Sequence, residues 1–114
     1  ILYQICDLQF EGCYMFLKNH RYIFINQSLP EHGQRLVMAH ELGHALLHRK
    51  ENCYFIRNKT LLLNSKKEIE ANKFAMELLL PDSFLAEYRD FTIDQISRMT
   101  GYHQKLLELK LSNN

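Results

Sequence analysis

The segment Leu36-Val37-Met38-Ala39-His40-Glu41-Leu42-Gly43-His44-Ala45-Leu46-Leu47-His48 constrains this chain more than any other. It contains no proline, and apolar residues at 36, 37, 39, 42, 45, 46 and 47 predict one helix over residues 35–48 with a broad buried stripe. On that helix stand His40, Glu41 and His44, the H-E-x-x-H spacing. Side chains four apart on a helix lie one turn apart on one face, so both imidazoles can aim at a single ion. Glu41 is offset around the axis, where its carboxylate can reach a water on that ion without binding the ion itself. Burying such a trio in an apolar helix is costly without partners, and a metal removes that cost. The alternative is a helix whose histidines are incidental groups at the core edge. The chemistry implied by the metal reading is that of a zinc hydrolase. Two histidines hold Zn²⁺, and Glu41 takes the proton of water as general base.

Two imidazoles do not complete a catalytic zinc site, which ordinarily has three protein ligands. Residues 66–80 form the second strongly periodic segment, with Ile69, Ala71, Phe74, Ala75, Leu78 and Leu79 as its apolar stripe. Ser65 and Glu68 offer a capping pair at its start, and Pro81 stops it. Glu68 and Glu70 are both candidates for the third ligand, and Glu70 has Phe74 one turn ahead on the same side. A carboxylate bordering an apolar stripe is poorly explained by solvation. Glu77 is the next option, more easily left in solvent. The plainer reading is an acidic first turn favoured by the helix dipole. His48 continues the series 40, 44, 48, but the axis from His40 to His48 spans about 12 Å against Zn–N distances near 2 Å. It therefore reads as a supporting or structural group. The extended motif with a third histidine fails, since residue 47 is Leu and residue 50 is Lys.

A chain of 114 residues, 46% hydrophobic and 24% charged, suits one globular domain over residues 1–114. Fourteen basic against 13 acidic side chains leave a formal charge of +1, which demands neither nucleic acid nor an anionic membrane as partner. No apolar run approaches the ~20 residues that span a bilayer. The chain begins on Ile1 rather than Met, so a truncated amino-terminal part is expected. Cys6, Cys13 and Cys53 are odd in number and lack a C-x-x-C pair. That argues against a disulfide framework and fits a reducing, cytoplasmic compartment, with Cys13 a small core hydrophobe.

Cys13-Tyr14-Met15-Phe16-Leu17-Lys18 and Tyr22-Ile23-Phe24-Ile25 read as a hairpin around Asn19-His20-Arg21. Two strands alone are marginal, so a third strand or a packed helix is required. Leu2, Ile5 and Leu8, three apart, suggest the tail of a helix. Ser28 is a candidate N-cap for the motif helix, with Pro30 in its first turn and Glu31 at capping-box spacing. Cys53-Tyr54-Phe55-Ile56 suggests a short strand, and residues 58–65 a flap or docked loop. Short helices follow over residues 82–88, 92–99 and 102–110, with Thr92 and Gln95 opening one of them and Gly101 punctuating. Residues 112–114 form a polar tail.

With both helices read, the chain resembles the ImmA/IrrE family of small zinc-dependent metallopeptidases of phages, integrative elements and bacterial chromosomes. The resemblance rests on the H-E-x-x-H segment and on Glu68-Ile69-Glu70-Ala71-Asn72-Lys73-Phe74-Ala75-Met76-Glu77-Leu78-Leu79-Leu80-Pro81. The hairpin leading to Ile25-Asn26 and the closing segment, residues 92–111, agree with it. It implies a minimal zincin-like α+β fold, a short antiparallel sheet packed against the H-E-x-x-H helix and several further helices. It implies Zn²⁺ as cofactor and Glu70, immediately before Ala71-Asn72, as third ligand beside His40 and His44. The implied function is a metalloendopeptidase that cleaves or otherwise inactivates a helix-turn-helix repressor, an anti-repressor role. Tyr102, His103 and Tyr54 are candidate donors to the reaction's oxyanion. One rival is a DNA-binding protein, since residues 94–107 have a helix–glycine–helix look. Only His103, Lys105 and Lys110 are then at hand for phosphates. Another rival is a module that binds the repressor without cutting it. No direct nucleic-acid or membrane partner is expected.

Overall fold

The computed structural model describes residues 1–51 and 65–111. Strands β1 (Leu2–Cys6), β2 (Gly12–Leu17) and β3 (His20–Asn26) form one sheet in the order β1-β3-β2. β3 is central, antiparallel to β2 and parallel to β1. The expected hairpin is present, but its turn is Lys18 and Asn19, with Leu17 paired to His20. Both turn residues take positive φ, 49° and 64°, as a two-residue turn that follows the twist of its strands requires.

The helix tail expected from Leu2, Ile5 and Leu8 is instead β1, the third strand that the hairpin needed. Its residues run in register from Leu2 opposite Tyr22 to Cys6 opposite Asn26. Every residue of β1 except Cys6 is exposed, so no alternation of burial marks it in the sequence. The parallel ladder to β3 decides the conformation instead.

Tyr14, Ile23 and Ile25 present one face of the sheet to Val37 and Ala45 of α1 (Glu31–Leu47), forming the first core. Each fully buried aliphatic side chain there contributes about 1.5–3 kcal/mol, enough for a few to secure a sheet that is marginal alone. Arg21 Nη1 donates to Ala45 O at 3.1 Å, and the Tyr14 hydroxyl donates to Arg49 O, fastening the end of α1 to the sheet. The helix begins after Pro30, not at Ser28, whose hydroxyl donates to Asn26 Oδ1 at 2.9 Å. The close of β3 claims Ser28 before the helix can use it.

Helix α2 (Lys66–Leu79) packs on α1 where both backbones are nearly bare. A Cβ placed on Gly43 would lie 3.1 Å from both Cα and O of Ala71. Ser65 caps α2 as expected, accepting from the Glu68 amide at 3.3 Å. Helices α3 (Asp82–Glu87), α4 (Ile93–Thr100) and α5 (Gln104–Leu111) follow. Met76, Leu80, Ile96, Tyr102, Leu106 and Leu107 form the second core. The Thr92–Gln95 capping box is complete, and Gly101 at φ 80° ends α4. Lys110 Nζ donates to Glu77 Oε2 at 2.6 Å and Asp82 Oδ1 at 2.7 Å, tying α5 to α2 and α3. The strand expected around residues 53–56, nearly all of the 58–65 segment and the 112–114 tail lie outside the described residues. Among the described residues no helix is long and apolar enough to cross a membrane.

Candidate metal centre

His40, Glu41 and His44 occupy the face of α1 turned into the molecule, with 0%, 0% and 1% of their surfaces exposed. Opposite them α2 turns inward through Glu68, Ala71, Asn72, Ala75 and Met76. The small residues Gly43 and Ala71 let the two helices approach, which carries the Glu68 side chain to the two rings. Glu68 Oε2 lies 2.9 Å from His40 Nε2 and 2.7 Å from His44 Nε2. Ligand-capable atoms of His40, His44 and Glu68 all fall within 4.8 Å of one another.

The far side of the His40 ring shows what this cluster lacks. His40 Nδ1 is 2.7 Å from Asn72 Oδ1, so Nδ1–H donates to the amide oxygen and Nε2 carries a bare lone pair. Among the described residues, that lone pair faces a carboxylate oxygen and makes no hydrogen bond, and neither oxygen of Glu41 finds a hydrogen-bond partner. Two acceptors at 2.9 Å repel unless positive charge sits between them. A proton on the ring or a metal ion supplies it. Two imidazoles and one carboxylate, with a further position open, are the donor set that suits a catalytic Zn²⁺.

The two carboxylates at the site are pushed in opposite directions. Burial holds the Glu41 carboxyl well above its ordinary value, and the nearby Glu68 charge raises it further. For Glu68 burial also acts upward, but the adjoining His40 and His44 rings prevail and bring it down to about 2. The split leaves Glu68 the more readily ionised of the two carboxylates. The Cys13 thiol is pushed up to about 11, chiefly by burial, which suits an inert core residue.

The expectation of Glu70 as third ligand is corrected by this geometry. Two residues along a helix are about 200° around it, so Glu68 and Glu70 cannot share a face. Glu70 points elsewhere, its side chain 45% exposed and its Oε1 3.3 Å from His48 Nε2. His48 does stand beside the cluster, with Nδ1 3.0 Å from His44 Nδ1. Tyr102 and His103 do not reach the site. Tyr102 is packed in the second core and stacks on His32 at 4.7 Å, on α1 about 12 Å of axis before His40. His103 is exposed, and its Nδ1 accepts from the Lys105 amide. Tyr54 lies outside the described residues. Lys110, one of three groups a DNA-binding reading would need, is enclosed between two carboxylates. Asn72 was missed in the sequence, although it follows Glu68 by one helical turn on the small-residue face.

A three-stranded sheet, an H-E-x-x-H helix buried against it and a packed helix that supplies a carboxylate define a zincin-like α+β protein. Residues 8–105 match the family profile Peptidase_M78, the IrrE N-terminal-like domain, and the chain belongs to that family. It is 44% identical over 101 residues to a protein of Bacillus phage phi105 described as an uncharacterized immunity region protein 2. That match covers 87% of this chain and 64% of the phage protein. It is 36% identical over 94 residues to Metallopeptidase ImmA of Bacillus subtilis (strain 168), covering 79% of this chain and 54% of that protein. The chain thus spans between half and two thirds of the length of these relatives. No solved structure gives a significant match.

Proposed function

We propose that this chain is a zinc-dependent endopeptidase that cuts a protein substrate at a defined site, and that the substrate is a helix-turn-helix repressor. The observation that carries the reading is the convergence of His40 Nε2, His44 Nε2 and Glu68 Oε2 beside the fully buried carboxylate of Glu41, which has no hydrogen-bond partner among the described residues. His40, His44 and Glu68 are the proposed ligands, in place of the set that included Glu70. When bound, Zn²⁺ supplies Lewis acidity, which makes water more acidic and polarises the scissile carbonyl. Glu41 accepts the proton of the attacking water and delivers it to the leaving amine. Its raised proton affinity in the buried site suits a group that must hold a proton and then release it. Asn72 holds the His40 ring by Nδ1.

The peptide is proposed to lie extended along β2, pairing backbone to backbone, because β3 is already paired on both sides. The repressor as substrate is supported by the relatives, one described as a phage immunity region protein and another as a metallopeptidase. Incubation of the purified protein with Zn²⁺ and the repressor encoded beside it, followed by intact-mass spectrometry, tests the reading. The expected result is one discrete cut, lost in Glu41→Gln although that variant still holds zinc. A stable complex with no cut would overturn the peptidase reading in favour of a binding module. Undiminished turnover by Glu41→Gln would remove the proposed base.

A further inference from the structure

The ligand set leaves His48 and Glu70 unused, yet both are joined to it. His48 is the C-cap of α1, with φ −128° and ψ 49°, so its side chain leaves the helical path of His40 and His44. Its Nδ1 is 3.0 Å from His44 Nδ1, and its Nε2 is a long 3.3 Å from Glu70 Oε1. With a metal on His44 Nε2, His44 Nδ1 carries the hydrogen and donates to a bare His48 Nδ1. His48 Nε2 then carries a hydrogen for Glu70, which is acceptor-only when ionised. Without the metal, His44 Nε2 lies 2.7 Å from Glu68 Oε2 and is free to donate to it instead.

We propose that Glu70 and His48 are positioning residues that lock His44 in the tautomer and ring orientation able to bind the metal. The proposal rests on the metallopeptidase reading, and it gives the two ligand histidines different supports. His40 is held by Asn72, 2% exposed, whereas His44 is held through a chain ending at a carboxylate whose side chain is 45% exposed. Outer partners of a ligating histidine fix its tautomer and raise its basicity, and removing them weakens metal binding.

Two measurements test the relay. Long-range ¹H–¹⁵N spectra of the histidine-labelled, zinc-loaded protein should show His44 protonated at Nδ1 and His48 at Nε2. Zinc affinity, read by competition with a chromophoric chelator, should fall about 10–100-fold in His48→Phe and about threefold to tenfold in Glu70→Ala. Glu70→Gln and His48→Gln, which keep an amide oxygen as acceptor, should recover most of that loss. A role in packing alone would predict no such recovery. Wild-type affinity in both His48→Phe and Glu70→Ala, or a His48 protonated at Nδ1, would overturn the relay and leave the metallopeptidase reading standing. A wild-type protein that holds no zinc would overturn both.

Discussion

Glu41→Gln is expected to stabilise the zinc-free protein at neutral pH while it abolishes hydrolysis. Glu41 is 0% exposed and neither oxygen has a hydrogen-bond partner among the described residues. Without a cation nearby, folding must either bury its charge or leave it protonated. Its folded value is raised above the unfolded 4.5, so the folded chain binds the extra proton. Stability from this group is fully present below 4.5 and is lost as pH rises through the folded value. Each pH unit between 4.5 and 7 costs about 1.4 kcal/mol, so protonation bounds the penalty at about 3 kcal/mol at pH 7. An amide of the same shape removes the charge and buries polar atoms much as the protonated carboxyl does, so that cost cancels between the two. The net gain should be at most about 3 kcal/mol at pH 7 and close to nothing at pH 4.5. Urea denaturation of chelator-treated wild type and variant at the two pH values reads this directly. A variant no more stable than wild type at pH 7, or a gain independent of pH, would refute the reasoning.

Glu68→Ala should weaken zinc binding by at least about a hundredfold, because a ligand is lost, whereas Glu70→Gln stays within about threefold; chelator competition distinguishes the two. Gly43→Ala forces a Cβ to 3.1 Å from the Ala71 backbone and should destabilise the protein by about 1–3 kcal/mol in a thermal melt, with weaker zinc binding. Lys110→Met should cost about 1–2 kcal/mol in urea rather than the 3–5 kcal/mol of a fully buried pair, since Glu77 and Asp82 side chains keep 52% and 81% exposure. Burial draws the Lys110 value down, but hydrogen bonds and charge from Asp82 and Glu77 raise it past 10.5. The stability it gives is therefore complete below 10.5 and lost above it, which the same denaturation at alkaline pH measures.

The motif helix, the hairpin, the α2 cap and the Thr92–Gln95 box were legible in the sequence because each is local. Helical spacing alone puts His40 and His44 on one face. The carboxylate that meets the two rings was not legible in the same way, and the expectation chose the one the structure places away from them for an identifiable reason. Ile69, Ala71, Phe74, Ala75, Leu78 and Leu79 together mark the expected apolar stripe of α2, and Glu70 borders Phe74. In the structure the inward face runs through Glu68, Ala71, Asn72, Ala75 and Met76, and Leu78 is 53% exposed. Helices that touch backbone to backbone need small residues at the contact, so the small members of that stripe, such as Ala71 against Gly43, mark the inward face better than the bulky ones. β1 could not be found from its own residues, since its conformation is decided by pairing with a strand far along the chain.

The bare contact at Gly43 sets how far the donors must reach. With the Ala71 backbone against it, a glutamate and an asparagine one turn apart suffice to touch rings on the facing helix. Each has few rotors to freeze. Were the helices a methyl group farther apart, the same bridge would call for longer arms, and every added torsion would cost entropy and blur the placement of the atom at its tip. Sharpness at the centre is thus purchased by an omission, the hydrogen that stands where residue 43 might have carried a side chain.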